Sequence, residues 1–557
     1  MQNTTFSSLD GVVFVVYFFV VAGYGLWIYR RRQRSASASH DYFLAEGSLT
    51  WWAIGASMIA SNISAEQFIG MSGSGFKMGM AIAVYELMAA FTLVLVAVFF
   101  MPVYRQNRIY TMPQFLERRY SGAVATTMAV FWLSLYVVVN LTSILYLGAL
   151  AIGAIAGIDT WTCMLFLAVF AALITLGGMK VIGYTDVIQV FCLVLGGLAT
   201  TWLALDLVAR HNGGGGVAGG LAHLFEAAPG HFDMVLARDN PNYLDLPGIS
   251  ILIGGMLIVN LNYWGCNQYI IQRALGADLH TARKGILFAA FLKLLMPVIV
   301  VLPGIAAFVL HQQGVLGASM GGGADLNPDR AYPVLLTLLP PGLKGVAFAA
   351  LTAAVVASLA GKANSIATIY TFDIHKKHIN RDVSEPRMVW IGRVTVVAAM
   401  LLAVLIAPYM GIDKKGGFQY IQEYTGFVSP GILAMFLMGF FWRPTTAAAA
   451  MFATIGGFVG SIVLKLLPAL LDLSFLAPIG FAAPNAAGVH EIPFLDRMGI
   501  VFVAVVLGMV VISKAFPQPA AGKGIEVDPR MFRVQPGFAL GAAVICLVLV
   551  VIYAAWW

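Results

Sequence analysis

Charged side chains are scarce in this sequence. Only 11% of its 557 residues are Asp, Glu, Lys or Arg, less than half the share of about 25% found in water-soluble domains. An ordinary cytosolic enzyme is excluded. Cysteine is scarce too: Cys163, Cys192, Cys266 and Cys546 all fall in apolar stretches, with no CxxC pair and no histidine at ligand spacing. Small buried hydrophobes are expected, with neither a disulfide framework nor a zinc site. There is no Walker A motif, which argues against transport powered directly by ATP on this chain. No nucleophile–base pair or metal cluster stands out, so an intramembrane enzyme is not indicated. Residues 1–10 carry no positive charge, and Arg30, Arg31, Arg32 and Arg34 follow the apolar run 11–29 instead of preceding it. That order predicts a retained anchor with its N-terminus outside, not a secretory signal.

Apolar length is what the chain has in abundance. Apolar residues make up 60% of it and the mean hydropathy is +0.85. The excess comes in stretches of about 20 residues, enough to span a bilayer. We read spans near 11–29, 50–75, 80–103, 122–156, 160–179, 185–208, 248–272, 284–311, 343–374, 388–410, 419–441, 444–467, 496–514 and 534–556. The expected fold is an all-α polytopic membrane protein of about 14 transmembrane helices. With the N-terminus outside, the inside loops and adjoining span ends, Arg273 among them, hold about 21 Lys and Arg, and the outside loops about seven, including Lys414 and Lys415. That bias has the sign and size of the positive-inside rule. Both termini would then face the periplasm across a cell inner membrane. The net charge of +7 fits basic loops beside anionic lipid and calls for no nucleic acid. Two outer loops, 209–247 and 312–342, carry the glycine runs Gly213–Gly216 and Gly321–Gly323 and are expected as surface loops with short helices.

Polar side chains deep in a span are expensive and point to function. The second span reads Ala60-Ser61-Asn62-Ile63-Ser64-Ala65-Glu66-Gln67-Phe68-Ile69-Gly70, a poor lipid-facing helix. A discontinuous helix is expected, with unwound carbonyls for a cation and exposed amides for a solute; a loop between spans is the plainer alternative. Five spans later come Asn260, Asn262, Tyr263, Trp264, Asn267 and Gln268. Asn260, Tyr263 and Asn267, at i, i+3 and i+7, would share a helical face. Interrupted helices in matching places of two five-span halves point to an inverted-repeat secondary transporter. The division expected is an anchor and basic loop over 1–49, repeats over 50–208 and 248–441 separated by the outer loop, and three further helices over 442–557. Glu86, Asn140, Lys293 and Gln422 add buried polar groups. Glu86 and Lys293 could be a structural ion pair; with Tyr85, Tyr263 and Phe418 they also suit a polyhydroxylated ligand, which needs directional donors, acceptors and an aromatic face.

These segments, together with Phe131-Trp132, Asn140-Leu141-Thr142-Ser143, Thr185-Asp186-Val187-Ile188-Gln189, Gln268-Tyr269-Ile270-Ile271-Gln272-Arg273 and Phe418-Gln419-Tyr420-Ile421-Gln422-Glu423-Tyr424-Thr425-Gly426, resemble the solute:sodium symporter family, in its sodium/glucose cotransporter branch. The likeness runs through nearly the whole chain and weakens after about residue 440. It implies a monosaccharide importer of galactose or glucose type, driven by sodium through alternating access, with no other cofactor and no obligate protein partner. It implies a sugar site of Gln67, Glu86, Asn140, Asn260, Lys293 and Gln422 with Asn62 nearby, Tyr263 as an inner gate, and Met71, Tyr85 and Phe418 as outer gates. It implies sodium on carbonyls of Ala60, Ile63 and Ala354 and a hydroxyl of Ser358, with Asp186 on the ion's inward path. Three positions depart from the family: Ala89 and Ala357 stand where serines are expected, and Asn262 where a tyrosine is. Lys362 stands where the family is apolar. It either neutralises Asp186, competes with sodium, or snorkels to the interface. A proton-coupled or weakly sodium-dependent sugar or polyol carrier, and a non-transporting sugar sensor, are the alternatives.

Overall fold

The computed structural model describes residues 7–30, 49–321, 326–409, 417–517 and 525–557. Arg31, Arg32, Arg34, Gly322, Gly323, Lys414, Lys415 and Lys523 lie outside the described residues. Helix covers each of the fourteen apolar stretches, not always in one piece. In chain order we label α1 Ser8–Arg30, α2 Trp51–Asn62, α3 Ser72–Met78, α4 Val84–Leu95, α5 Gly122–Ser134, α6 Thr142–Ala156, α7 Thr160–Thr175, α8 Met179–His211 and α9 Gly255–Leu261. There follow α10 Gln268–Leu275, α11 Leu279–Met296, α12 Leu343–Ile369, α13 Glu385–Ile406, α14 Gly417–Gly426, α15 Ser429–Phe441, α16 Ala447–Leu466, α17 Phe494–Ala515 and α18 Pro536–Ala555. Among the described residues eleven helices are long and apolar enough to cross a membrane, and Thr160–Thr175 and Ser250–Cys266 are shorter apolar ones. One small departure from all-α is an antiparallel pair of two-residue strands, Ala483–Pro484 and His490–Glu491, between α16 and α17.

Burial grades the helices into a centre and a rim. The most apolar window of the helical run Leu343–Ile379 is 89% buried, against 11% for Pro536–Ala555. The first is therefore core, and the last faces outward with Leu540, Leu547 and Val550 exposed. An apolar exterior is what lipid solvates best, so the polar groups of the chain collect inside. Cys163 and Cys266 are buried as expected, whereas Cys192 and Cys546 are only half-buried; all four are free thiols.

Loop sequences set where helices begin. The side chains of Thr111, Asp159 and Asp278 each accept a backbone N–H three residues on, satisfying donors the first helical turn leaves open. Beyond α3 the chain turns at Gly79, whose φ of +71° and ψ of −149° belong to a region only glycine occupies readily. A Cβ there would meet the His231 carbonyl oxygen at 2.3 Å. His231 lies in the 209–247 loop and stacks on Phe308 at 4.0 Å; burial holds its imidazole below the usual range, so it stays neutral at pH 7.

Two glycines set the distance between the helices that carry the polar centre. A Cβ on Gly55 of α2 would meet the Gly285 carbonyl at 2.6 Å, and one on Gly285 of α11 would meet the Trp51 carbonyl at 2.9 Å. Small residues let helices approach closely where lipid gives no hydrophobic drive. Asn62 lies seven residues beyond Gly55 and Lys293 eight beyond Gly285, which at 1.5 Å per residue puts both about 11–12 Å further along. The glycine contact therefore sets the spacing of Asn62 and Lys293. Gly285→Val is expected to destabilise the fold by about 1–3 kcal/mol, the usual penalty of overpacking, measured as a lower melting temperature of the detergent-purified protein; Gly23→Ala, where a Cβ meets nothing within 4 Å, is expected to leave it unchanged.

Candidate solute and ion site

The second span is interrupted as its composition predicts. α2 stops at Asn62, Ile63 is extended (φ −78°, ψ 116°), and the Ile63 N–H bond to the Ile59 carbonyl is the helix's last. The next amide, Ser64, donates instead to Gln67 Oε1 at 3.0 Å, and a widened π turn over Glu66–Met71 restarts the helix. The seventh span is interrupted differently. After α9 a π turn over Asn262–Cys266 leads to Asn267, which is extended (φ −89°, ψ 126°). Tyr136 spans the gap: its hydroxyl donates to Asn267 Oδ1 at 3.0 Å and accepts the Gln268 N–H at 3.2 Å. The expectation that Asn260, Tyr263 and Asn267 share a helical face is therefore overturned, because the α-helical period ends at Leu261. Such widened turns are frequent at functional sites.

A polar cluster sits between these breaks. Lys293 Nζ of α11 bonds both Glu86 Oε2 of α4 and Asn62 Oδ1 at the end of α2. Asn62 Nδ2 donates to the Tyr263 hydroxyl at 2.9 Å. The Trp264 ring lies 5.1 Å from Lys293 Nζ, and Trp264 Nε1 donates to Asn260 Oδ1 at 3.3 Å. The structure thus brings Asn62, Glu86, Asn260, Tyr263 and Lys293 together, and the Glu86–Lys293 ion pair is formed. An ammonium carries three donors and a carboxylate two acceptor oxygens, so the pair still has groups to offer a hydroxylated solute. Ala89, one turn beyond Glu86 on α4, is buried and contributes no donor or acceptor. Gln67 is buried, but its carbonyl oxygen is engaged by Ser64. Asn140 is buried in the π turn Leu135–Leu141. Gln422 on α14 is half-buried, not buried as expected. Among the described residues none of these three bonds Glu86 or Lys293.

Two of the residues read as outer gates pack on each other. The Tyr85 and Phe418 rings meet edge to face at 4.9 Å, Phe418 lies against Gly70, and Met71 is fully buried. A cleft of about 860 Å³ is lined by Ser74, Lys77, Gln419 and Glu423, residues close in sequence to Met71 and Phe418, and by Asp245 of the 209–247 loop. Tyr263 packs edge to face on Tyr269 at 5.6 Å. Asn262, in place of an expected tyrosine, donates to Ser429 Oγ at 3.1 Å.

The residues expected around an ion lie on α12 and the broken end of α2. Ser358 Oγ donates to the Ser61 carbonyl at 3.0 Å, and Ala60, Ile63, Ala354 and Ala357 are buried. Lys362 Nζ donates to Ser358 Oγ at 3.1 Å and lies 4.7 Å from the Tyr269 ring centre. At 2% exposure Lys362 does not snorkel to an interface. Nor does it neutralise Asp186: Ser57 Oγ bonds that carboxylate, and Arg273 Nη2 approaches it to 4.0 Å. Arg273, counted among the cations at the inside ends of spans, lies within α10. It is buried, and it donates to Ser57 O and Oγ and to the Tyr269 carbonyl, tying α2, α8 and α10 together. Arg273 lies near the end of α10, where Gln268, Tyr269, Gln272 and Arg273 are all buried, and no signal in the sequence marks that burial. Glu66 was missed as well; it accepts from Ser143 Oγ at 2.9 Å.

A family model described as Sodium:solute symporter family matches residues 42–457. The chain is 46% identical over 561 residues to a sodium/glucose cotransporter of Vibrio parahaemolyticus, with 99% of this chain and 98% of that one covered. It is 34% identical over 496 residues to sodium/myo-inositol cotransporter 2 of Mus musculus, with 84% and 71% covered. A solved Na+-coupled sialic acid symporter, substrate-bound and outward-open, superposes with a TM-score of 0.74 at 20% identity over 92% of this chain and 99% of its own. That likeness establishes a shared fold.

A buried ion pair is destabilising when one partner is removed and near neutral when both are replaced by apolar groups. Glu86→Ala and Lys293→Ala alone are each expected to lower stability by about 3–5 kcal/mol, and Glu86→Leu/Lys293→Met together by clearly less than their sum. Melting temperatures of the four proteins check this; strict additivity would contradict the pairing.

Proposed function

The chain belongs to the sodium:solute symporter family, and from that premise we propose how its residues divide the work. It is a secondary active membrane transporter, not an enzyme, with sodium as the coupling ion. We take the solute to be a monosaccharide of glucose or galactose type. The observation that carries this reading is the hydrogen-bonded set Asn62–Lys293–Glu86 beside Tyr263 and Trp264, in a chain 46% identical to a sodium/glucose cotransporter. Directional donors and acceptors beside aromatic faces are the chemistry a sugar needs. A cyclic polyol is the second reading, supported by the 34% identity to a sodium/myo-inositol cotransporter.

In this reading Gln67, Glu86, Asn140, Asn260, Lys293 and Gln422 contact the sugar, with Asn62 holding Lys293 in place. Tyr263 closes the inner side, and Met71, Tyr85 and Phe418 the outer side. Sodium binds carbonyls of Ala60, Ile63 and Ala354 and the Ser358 hydroxyl, at the seam of α2 and α12, and leaves past Asp186. Hard cations take oxygen ligands, and carbonyls released by a helix break supply them. Ion and sugar share the broken second span, so order imposed by one favours the other, and the affinities rise reciprocally. Fourteen spans in a bacterial inner membrane, with repeats over 50–208 and 248–441 and both termini outside, complete the topology; the placement of Lys and Arg supports it.

Uptake of labelled glucose, galactose and myo-inositol into proteoliposomes, in sodium and in choline media, tests the whole reading; sodium-dependent sugar accumulation is expected, and its absence would leave a sensor. Losing a hydrogen bond to a charged group costs about 1.5–3 kcal/mol. Sugar affinity is therefore expected to fall about ten- to a hundredfold in Glu86→Ala and Lys293→Ala, measured by uptake half-saturation in normally expressed protein. Tyr263→Phe is expected to retain much of the uptake and Tyr263→Ala to lose it, since the ring supplies the contact.

A further inference from the structure

The seam between α2 and α12 is rich in oxygen. α2 ends without a following helical bond after Ile63, because the Ser64 amide turns to Gln67, so the carbonyls at this end are free of the ladder. Ser61 supplies two oxygens: its carbonyl accepts from Ser358 Oγ, and its own hydroxyl oxygen, fully buried, has no partner among the described residues. Such a set is a seat for a hard cation. A cation from the chain itself already stands at it. Lys362 Nζ is 3.1 Å from Ser358 Oγ, in a side chain only 2% exposed.

We infer that Lys362 is a tethered competitor of the coupling ion: its ammonium holds the Ser358 hydroxyl at the seam, and sodium takes that oxygen only when the ammonium withdraws. The inference rests on the placement of sodium at this seam proposed above. Geometry supplies the mechanism. Ser358 Oγ donates its one proton to Ser61 O, so its lone pairs alone remain for a cation, and the ammonium uses them. The Tyr269 ring, 4.7 Å from Nζ, offers the displaced ammonium a second seat by cation–π attraction. The charged groups facing Lys362 are Glu66, which attracts it, and Arg273, which repels it. Glu66 is held by Ser143. Arg273 and Asp186 answer each other through Ser57, leaving no second carboxylate for an incoming sodium. Two cations at one buried oxygen repel, with Glu66 the one facing carboxylate to offset them, and the apolar Ala357 beside Ser358 adds no oxygen to compensate. Sodium affinity is accordingly set low by position 362, while the site itself stays intact.

Two readouts test this with the full-length protein: the sodium concentration giving half-maximal sugar uptake, and the sodium concentration giving half the thermal shift of purified protein without sugar, since a ligand that binds the native state raises its melting temperature. Lys362→Met and Lys362→Gln are each expected to lower both concentrations about tenfold or more, and Ser358→Ala to raise them; either neutral variant suffices if the other does not fold. An unchanged or higher half-saturation in the neutral variants, with Ser358→Ala still weakening sodium, overturns the competition alone. An unchanged half-saturation in Ser358→Ala overturns the placement of sodium at this seam and the competition with it.

Discussion

A backbone amide or carbonyl at membrane depth has no water to bond, so a helix can be interrupted there only where other protein groups meet what the break releases. Both interruptions here satisfy that constraint, by different means. At the first, Gln67 folds back on the Ser64 amide, a local answer within four residues. At the second, Tyr136 reaches in from another helix and engages both Asn267 and Gln268. The first break is therefore answered partly within its own segment and partly by Ser358, which donates to the Ser61 carbonyl, whereas the second is answered from another helix. The Asn62–Tyr263 contact follows from these two points, because Asn62 is the last residue of one helix and Tyr263 lies in the widened turn before the other break.

Charge inside this molecule is arranged in answered groups. Lys293 answers Glu86 and is steadied by Asn62; Arg273 and Asp186 meet through Ser57; Glu66 takes Ser143. Removing an ion from water costs several kcal/mol even after relaxation, so each pairing is a condition for burial and not an ornament of it. Lys362 is answered more loosely. Its hydrogen-bond and ring partners are a hydroxyl and an aromatic face, and the Glu66 carboxylate attracts it without an ion-pair contact among the described residues. The same helix, α12, has the most buried window of the eleven long apolar helices among the described residues and packs along α8 and the broken α2. A charge on its face acts directly on any ion at their seam.

Close approach is the other condition. Gly55 and Gly285 let α2 and α11 touch, and that contact sets the spacing of Asn62 and Lys293 two turns further on. A bulkier pair would still leave two helices in a membrane, but not two side chains within hydrogen-bonding reach.

Much of this was legible in the amino-acid order alone. Asn, Ser, Glu and Lys within apolar stretches violate the solvent they are set in, so the broken second span, the buried Glu86 and Lys293 and the class of the fold could be read without coordinates. Side chains near the ends of spans could not. Arg273 reads as a cation at the inside end of the seventh span because charge near a helix end is cheap if it reaches water, and only packing decides whether it does. Gln422 reads as buried because it falls within a predicted span, yet which side of α14 meets the protein depends on the helices beside it. The proposed shared face of Asn260, Tyr263 and Asn267 failed because a period presumes an unbroken helix, and the break is stabilised by Tyr136 from elsewhere in the chain. Lys362 shows the division most plainly. Helical spacing puts it on one face with Ser358, but a long flexible stem can aim its ammonium outward, inward or along the helix. Tertiary packing, with Ser358 on one side and the Tyr269 ring on the other, decided where the charge rests.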